Sequence, residues 1–169
     1  MSRYNTIIEN DVVNGEGVCV SFWTQGCPHK CDGCFNPETW DKNGGQEADL
    51  NTIINQILTA ISANGIQRNF SILGGEPFAD YNRATVSAIL STVKCQFPNI
   101  KIFLWTGYTF ENLLNNSDTW HILRLVDVLI DGPFQLDKKD LHLKFRGSNN
   151  QRVIDVKASL GSGTIVPYN

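Results

Sequence analysis

The run Gly26-Cys27-Pro28-His29-Lys30-Cys31-Asp32-Gly33-Cys34 constrains this chain more than any other stretch. Three thiols fall within one loop, separated by three residues and then by two. Three thiolates are one short of the four that close a tetrahedral structural zinc site, and one short of the usual complement of a cubane iron–sulfur cluster. A centre held by three protein ligands keeps a vacant position, and a vacant position is where metal chemistry takes place. The loop therefore reads as the holder of a 4Fe-4S cluster through Cys27, Cys31 and Cys34, with one iron left for an external ligand.

The compartment follows from the remaining cysteines and the charge. There are 5 cysteines, an odd number clustered in one loop, which is unlike a secreted disulfide framework. Cys19 and Cys95 are expected to be small buried or half-buried thiols. The N-terminus lacks an apolar signal core and no apolar run reaches the roughly 18 residues of a membrane span, so a cytoplasmic protein without a membrane partner is expected. A net charge of -3 gives no electrostatic footprint for nucleic acid. A length of 169 residues suits one domain spanning residues 1–169.

Read along the chain, the pattern is α/β. Tyr4 to Ile8 reads as a short edge strand, and Asn14-Gly15-Glu16-Gly17 as a turn. Val18 to Trp23, apolar on both faces, reads as a buried parallel strand. Gly26 permits the bend into the cysteine loop, and Trp40 to Gln46 reads as loop. Asp49 or Asn51 can cap a helix to about Asn64 with a stripe of Ile53, Ile54, Ile57, Leu58 and Ile61. Phe70 to Leu73 is a strand ending at Gly74-Gly75-Glu76-Pro77. A helix from about Tyr81 to Gln96 carries Val86, Ile89, Leu90, Val93 and Phe97, with Pro98 beyond it. Ile100 to Trp105 is a strand ending at Thr106-Gly107-Tyr108. Helical segments near Phe110 to Leu114 and Trp120 to Leu125 lead to a strand over Val126 to Ile130, ending at Asp131-Gly132-Pro133. Asp137 to Lys144 reads as solvated loop or short helix, and Gln151 to Val156 as one more strand.

Alternating strands and helices imply a parallel sheet with right-handed crossovers, whose C-terminal strand ends carry the chemistry. A closed eight-stranded barrel needs about 250 residues. The expected fold is therefore a partial, laterally open (βα) barrel. Four successive strand ends then share one mouth: the cysteine loop, Gly74 to Pro77, Thr106 with Gly107, and Asp131. Paired glycines let backbone approach a ligand closely, and Glu76 supplies a charge for an amine. A tight turn with a solvated carboxylate is the alternative.

The Cys-x3-Cys-x2-Cys loop after the first core strand and Gly-Gly-Glu-Pro after the second resemble the radical S-adenosylmethionine superfamily. A narrower resemblance covers nearly the whole chain. It rests on Gly15-Glu16-Gly17, the cysteine run through Phe35-Asn36 to Thr39-Trp40, Trp105-Thr106-Gly107-Tyr108, Asp131-Gly132-Pro133-Phe134, and Arg146-Gly147-Ser148 with Asn150-Gln151-Arg152. These look like the activating proteins of anaerobic ribonucleotide reductases.

The resemblance implies that S-adenosylmethionine completes the cluster, that one electron breaks its sulfonium carbon–sulfur bond, and that the 5′-deoxyadenosyl radical takes a hydrogen from a glycine Cα. The partner would be the large subunit of anaerobic ribonucleotide reductase, with a low-potential donor such as flavodoxin or ferredoxin. Gly74, Gly75, Glu76 and Pro77 would hold the methionine part, with Thr106 and Asp131 near ribose or adenine. Gly33 departs from the superfamily, most of which has an aromatic residue there, and Phe35 is the alternative stacking partner. Arg146, Asn150 and Arg152 lie in a segment, Arg146 to Arg152, that either docks the partner or lines the mouth, or else is a surface turn leading into a last strand. His29 and Lys30 either tune the cluster or are solvated loop residues.

Two other classes compete. One is another small radical S-adenosylmethionine enzyme, such as a pyruvate formate-lyase activase or a 7-deazapurine-type synthase. The other is a zinc module using His29 as fourth ligand, in which the short Cys27–Cys31 gap crowds a tetrahedron and Gly-Gly-Glu-Pro has no role.

Overall fold

The computed structural model describes residues 1–169. Seven strands form one sheet: β1 (Ser2–Asp11), β2 (Cys19–Thr24), β3 (Gln46–Ala48), β4 (Asn69–Gly74), β5 (Ile102–Trp105), β6 (Val128–Asp131) and β7 (Arg152–Asp155). Five helices accompany them: α1 (Leu50–Ser62), α2 (Asp80–Gln96), α3 (Phe110–Leu114), α4 (Ser117–Leu123) and α5 (Val156–Ser162). The strand order is β3-β1-β2-β4-β5-β6-β7. The pairs β2–β4, β4–β5 and β5–β6 are parallel, and the flanking pairs are antiparallel. The sheet is open, with edges at β3 and β7.

Side-chain alternation divides the sheet into two unlike faces. One presents Val20, Phe22, Phe70, Ile72, Ile102, Leu104 and Leu129 to the main core. All five helices contribute buried residues to that same core, among them Ile57, Ile89, Phe110, Ile122 and Val156. Each fully buried Phe, Ile or Leu there contributes about 1.5–3 kcal/mol relative to exposure. The other face carries a small cluster of Phe103, Val128 and Ile130, and then Trp23, Leu73 and Trp105, which look onto a cavity. Helices on one side leave that second side to loops.

Local chemistry explains the helix starts. Asp49 caps α1 by accepting from the Asn51 amide, Thr109 and Asn112 form a capping box on α3, and Asp155 caps α5 through the Ala158 amide. Each such cap contributes about 1 kcal/mol. Asn64 and Gly65 take left-handed backbone and end the first helical segment.

Four expectations are corrected. The first strand runs from Ser2 to Asp11 and is not an edge, because β3 pairs outside it. Gln46 belongs to β3, a three-residue polar strand with too few residues to show a period. Val156, expected to close the last strand, instead opens α5, which follows β7 directly. Cys19 is buried as expected, whereas Cys95 is exposed, since it falls off the Val86–Ile89–Leu90–Val93 stripe of α2.

Candidate metal and cofactor site

The cysteine loop leaves β2 at a position where only glycine fits. Gly26 has φ of +91°, and a Cβ there would lie 2.5 Å from the Tyr81 ring. The loop base is then pinned to the chain that follows it. The Gly26 amide donates to Thr39 O at 2.7 Å and the Cys27 amide to Trp40 O at 3.2 Å. Gln25, buried, donates to the carbonyls of both Glu38 and Asp41. Sequence reasoning missed Gln25; a buried amide just before a loop is visible only once its acceptors are.

The two motifs touch through backbone. The Glu76 amide donates to Gly26 O at 2.9 Å, and a Cβ on Gly75 would sit 2.4 Å from that oxygen. Gly74 has φ of +95°, with Thr24 O only 2.9 Å from where its Cβ would be. The paired glycines are therefore required by close packing, Gly74 on the end of β2 and Gly75 on the start of the cysteine loop.

Glu76 is 1% exposed, so the alternative of a solvated carboxylate is overturned. Its Oε1 accepts from the Phe78 amide at 3.0 Å and the Thr106 hydroxyl at 2.7 Å. Its Oε2 accepts from the Gly107 amide and from His29 Nε2, each at 2.8 Å. Four donors occupy the four lone-pair directions of the carboxylate. Glu76 thus joins the cysteine loop, its own turn and the end of β5.

Cys27, Cys31 and Cys34 are half-buried and line one cavity of about 750 Å³ together with Gly74, Gly75, Glu76, Thr106 and Gly107. That volume is in the range of small-molecule sites. Burial pushes the Cys27 thiol up to about 11, against the pull of the His29 and Lys30 amides, and burial also raises Cys31. Metal binding must displace those protons. No three His, Cys, Asp or Glu groups converge as ligands of a single ion would. His29 is turned onto Glu76 and packs edge-on against Tyr108 at 4.6 Å, which leaves it poorly suited to be a fourth zinc ligand. A cubane is several atoms wide and takes thiolates spaced around it, so the three-thiol donor set at the cavity floor fits a cluster better than one ion.

The other expected positions divide. Thr106 lines the cavity and is held by Glu76. Arg146 also lines it, with Nη1 donating to Gln151 O. Gly33 is elsewhere: it has φ of +71° and faces Leu136, whose Cδ1 lies 2.7 Å from its would-be Cβ. Phe35 lines the cavity instead, 53% exposed, with its ring 5.1 Å from that of Phe134. Pro77 belongs to the turn into α2 and is not part of the wall.

Asp131 is 1% exposed and points away from the cavity role expected of it. Arg152 holds both its oxygens, and the Phe110 amide donates to Oδ2 at 2.7 Å. Arg152 also bridges to Glu111 at 2.8 and 3.0 Å, so its guanidinium is engaged on three sides rather than presented for docking. Asn150 donates to Pro133 O.

Most of one wall was not foreseen: of its residues only Arg146 and Gly147 lie in the segment expected at the mouth. Residues 140–147 cross the cavity side, where Leu141, Leu143, Lys144 and Phe145 contribute to the lining. Trp105 Nε1 donates to Phe145 O at 2.6 Å, and Phe145 holds a left-handed φ of +66°. Gln151 organises the segment by accepting from the Gly147 and Ser148 amides and donating to Gly132 O.

An α/β sheet whose strand ends gather three thiols at the floor of one cavity defines an iron–sulfur domain, and residues 13–154 match the family model described as a 4Fe-4S single cluster domain. The chain is 40% identical over 153 residues to the anaerobic ribonucleoside-triphosphate reductase-activating protein of Enterobacteria phage T4, covering 89% of this chain and 92% of that one. The proteins of the same name from Escherichia coli (strain K12) and Vibrio cholerae are 34% and 36% identical, with 89% and 88% of this chain covered and 97% and 95% of theirs. The chain belongs to the family of anaerobic ribonucleoside-triphosphate reductase-activating proteins.

Proposed function

We propose that this chain is a radical S-adenosylmethionine activase that generates a glycyl radical on the large subunit of anaerobic ribonucleotide reductase. The observation that carries the reading is the junction at Glu76, which brings the three-thiol loop and the Gly74–Pro77 turn onto one cavity. The relatives' shared name supplies the partner class.

Cys27, Cys31 and Cys34 would hold the 4Fe-4S cluster as thiolates. When bound, the cluster and S-adenosylmethionine would supply one-electron cleavage chemistry and, through it, hydrogen abstraction from a glycine of the partner. The electron would come from a low-potential donor of the flavodoxin or ferredoxin class. The protein's own part is to seat, orient and exclude water. The Gly74–Gly75 backbone is the seat for the methionine amine, with Glu76 fixing the turn. Phe35 and Phe134 offer the stacking surface for adenine that Gly33 does not. Trp23, Leu73 and Trp105 form an apolar wall that keeps water from a reactive radical.

The sheet, open at β3 and β7 and bare of helices on its cavity side, is read as the partial, laterally open (βα) barrel. Its mouth carries exposed apolar side chains, with Val13 77%, Phe35 53% and Leu141 74% accessible. Such a rim suits a polypeptide loop better than a free metabolite. No helix is long and apolar enough to cross a membrane; cytoplasmic work is part of this reading.

The test is anaerobic. Reduced, reconstituted protein is incubated with S-adenosylmethionine and an anaerobic ribonucleotide reductase, and EPR is used to look for the doublet of a glycyl radical. Cofactor cleavage with no doublet on the reductase would exclude this partner; no cleavage at all would exclude the chemistry.

A further inference from the structure

His29 sits between two cluster ligands in sequence, yet its ring belongs to another part of the site. Nε2 lies 2.8 Å from Glu76 Oε2 and is assigned as donor in the tautomer that lets this oxygen accept from both His29 and the Gly107 amide. The ring is packed edge-on to Tyr108. A Cβ on Gly107 would lie 2.5 Å from His29 Cδ2 and 2.6 Å from Nε2, so the absence of a side chain at residue 107 makes the space for the imidazole. Gly107 has no left-handed φ, so its backbone does not otherwise demand glycine. The seat is thus built from three elements: an acceptor on the β4 turn, a cleared position after β5, and an aromatic edge.

Of the four donors on Glu76, two are backbone amides and one is a hydroxyl at the end of β5. Only His29 comes from the cysteine loop. We propose that His29 is a positioning residue, a strut that holds the middle of the cluster-holding loop against the turn that seats the methionine part of S-adenosylmethionine, beyond the backbone contact at the loop's base. This rests on the function proposed above. Without the strut the three thiols still suffice to assemble the cluster and the base of the loop stays tied through Gly26 to Gly75 and Glu76, but the middle of the loop, between Cys27 and Cys31, is no longer held to the turn. A cofactor that must reach the open iron and the turn together then binds less well, since a ligand spanning two sites loses affinity when their spacing is not held.

The test uses the full chain, anaerobically reconstituted, with His29→Ala, His29→Gln, Gly107→Ala and the double variant His29→Ala/Gly107→Ala. Iron and sulfide are counted, and the EPR spectrum of the reduced cluster is titrated with S-adenosylmethionine. We expect His29→Ala to keep its iron, its sulfide and its cofactor-free spectrum. Its cofactor dissociation constant should rise about tenfold or more, the usual scale for a supporting residue behind metal ligands. His29→Gln, which restores a donor, should recover much of that loss. Gly107→Ala should resemble His29→Ala by expelling the ring, and the double variant should be no worse than either single one, because both remove the same contact.

Wild-type affinity in His29→Ala, or additive losses in the double variant, would overturn the strut. So would failure of both His29 variants to assemble a cluster, which would make His29 a residue of loop folding. If the wild-type spectrum itself does not respond to S-adenosylmethionine, it is the proposed function that fails.

Discussion

The carbonyl of Gly26 accepts the Glu76 amide at 2.9 Å and lies where a side chain on Gly75 would have to go. The loop that carries the thiols and the turn that follows β4 are therefore in backbone contact. Gly75→Ala should damage both functions at once. We expect lower iron retention and weakened S-adenosylmethionine binding from this one methyl group, read by iron content and by EPR titration. Wild-type values for both would mean that the contact relaxes without consequence.

Removing a single thiol should be cleaner. Cys27→Ala, Cys31→Ala and Cys34→Ala each take away one ligand from a half-buried loop outside the main core. Far-UV circular dichroism should be unchanged, while reconstitution falls short of about four irons per chain and cofactor cleavage is abolished. Retained cleavage in any one variant would remove that cysteine from the ligand set.

Glu76 has a structural share in the site. Glu76→Ala leaves the buried Phe78 amide, the half-buried Gly107 amide and the buried Thr106 hydroxyl without their acceptor. Orphaned buried donors cost about 1–3 kcal/mol each before relaxation, so a loss of about 3 kcal/mol in urea unfolding is expected, together with weaker cofactor binding. Glu76→Gln keeps acceptor capacity on one oxygen and should fall between. Wild-type stability in Glu76→Ala would show that water replaces the carboxylate.

Much of this was legible in the sequence, and what was not has identifiable causes. The stripes of α1 and α2 and the apolar runs of β2, β4, β5 and β6 were visible because burial imposes a period. The cysteine loop and the glycine pair were visible because few side chains can replace them. The pairing of Asp131 with Arg152 was not legible because a carboxylate at a strand end is the same letter whether it faces a ligand or an arginine 21 residues away. β3 and residues 140–147 had no period to read, and their places depend on long-range partners such as Tyr4 and Trp105.

The Glu111–Arg152–Asp131 group gives an acid dependence. Arg152 holds the Glu111 carboxyl down to about 2, below its ordinary 4.5. A carboxyl lowered on folding stabilises the native chain above 4.5 and loses that contribution as pH falls toward 2. Glu111→Gln should therefore flatten the pH dependence of unfolding across that window and leave neutral-pH stability within about 1 kcal/mol of wild type, since Glu111 is largely exposed. Unfolding midpoints at successive pH values check this; an unchanged slope would mean that the pair is screened away.

The rim can be separated from the chemistry. Leu141→Asp places a charge on a side chain 74% exposed at the cavity mouth. Stability should change by no more than about 0.5 kcal/mol, and cleavage of S-adenosylmethionine should persist. The yield of glycyl radical on the reductase should fall at least severalfold, as measured by EPR spin counting. An unchanged yield would move the docking surface elsewhere.

All five helices press on one side of the sheet, and the opposite side is finished by loops alone. Alterations to those loops leave the packed half undisturbed, so the recognition of a new protein substrate and the durability of the scaffold can evolve on separate accounts. A graft of residues 133–151 from a relative with a different target is the simplest way to ask how far that independence extends.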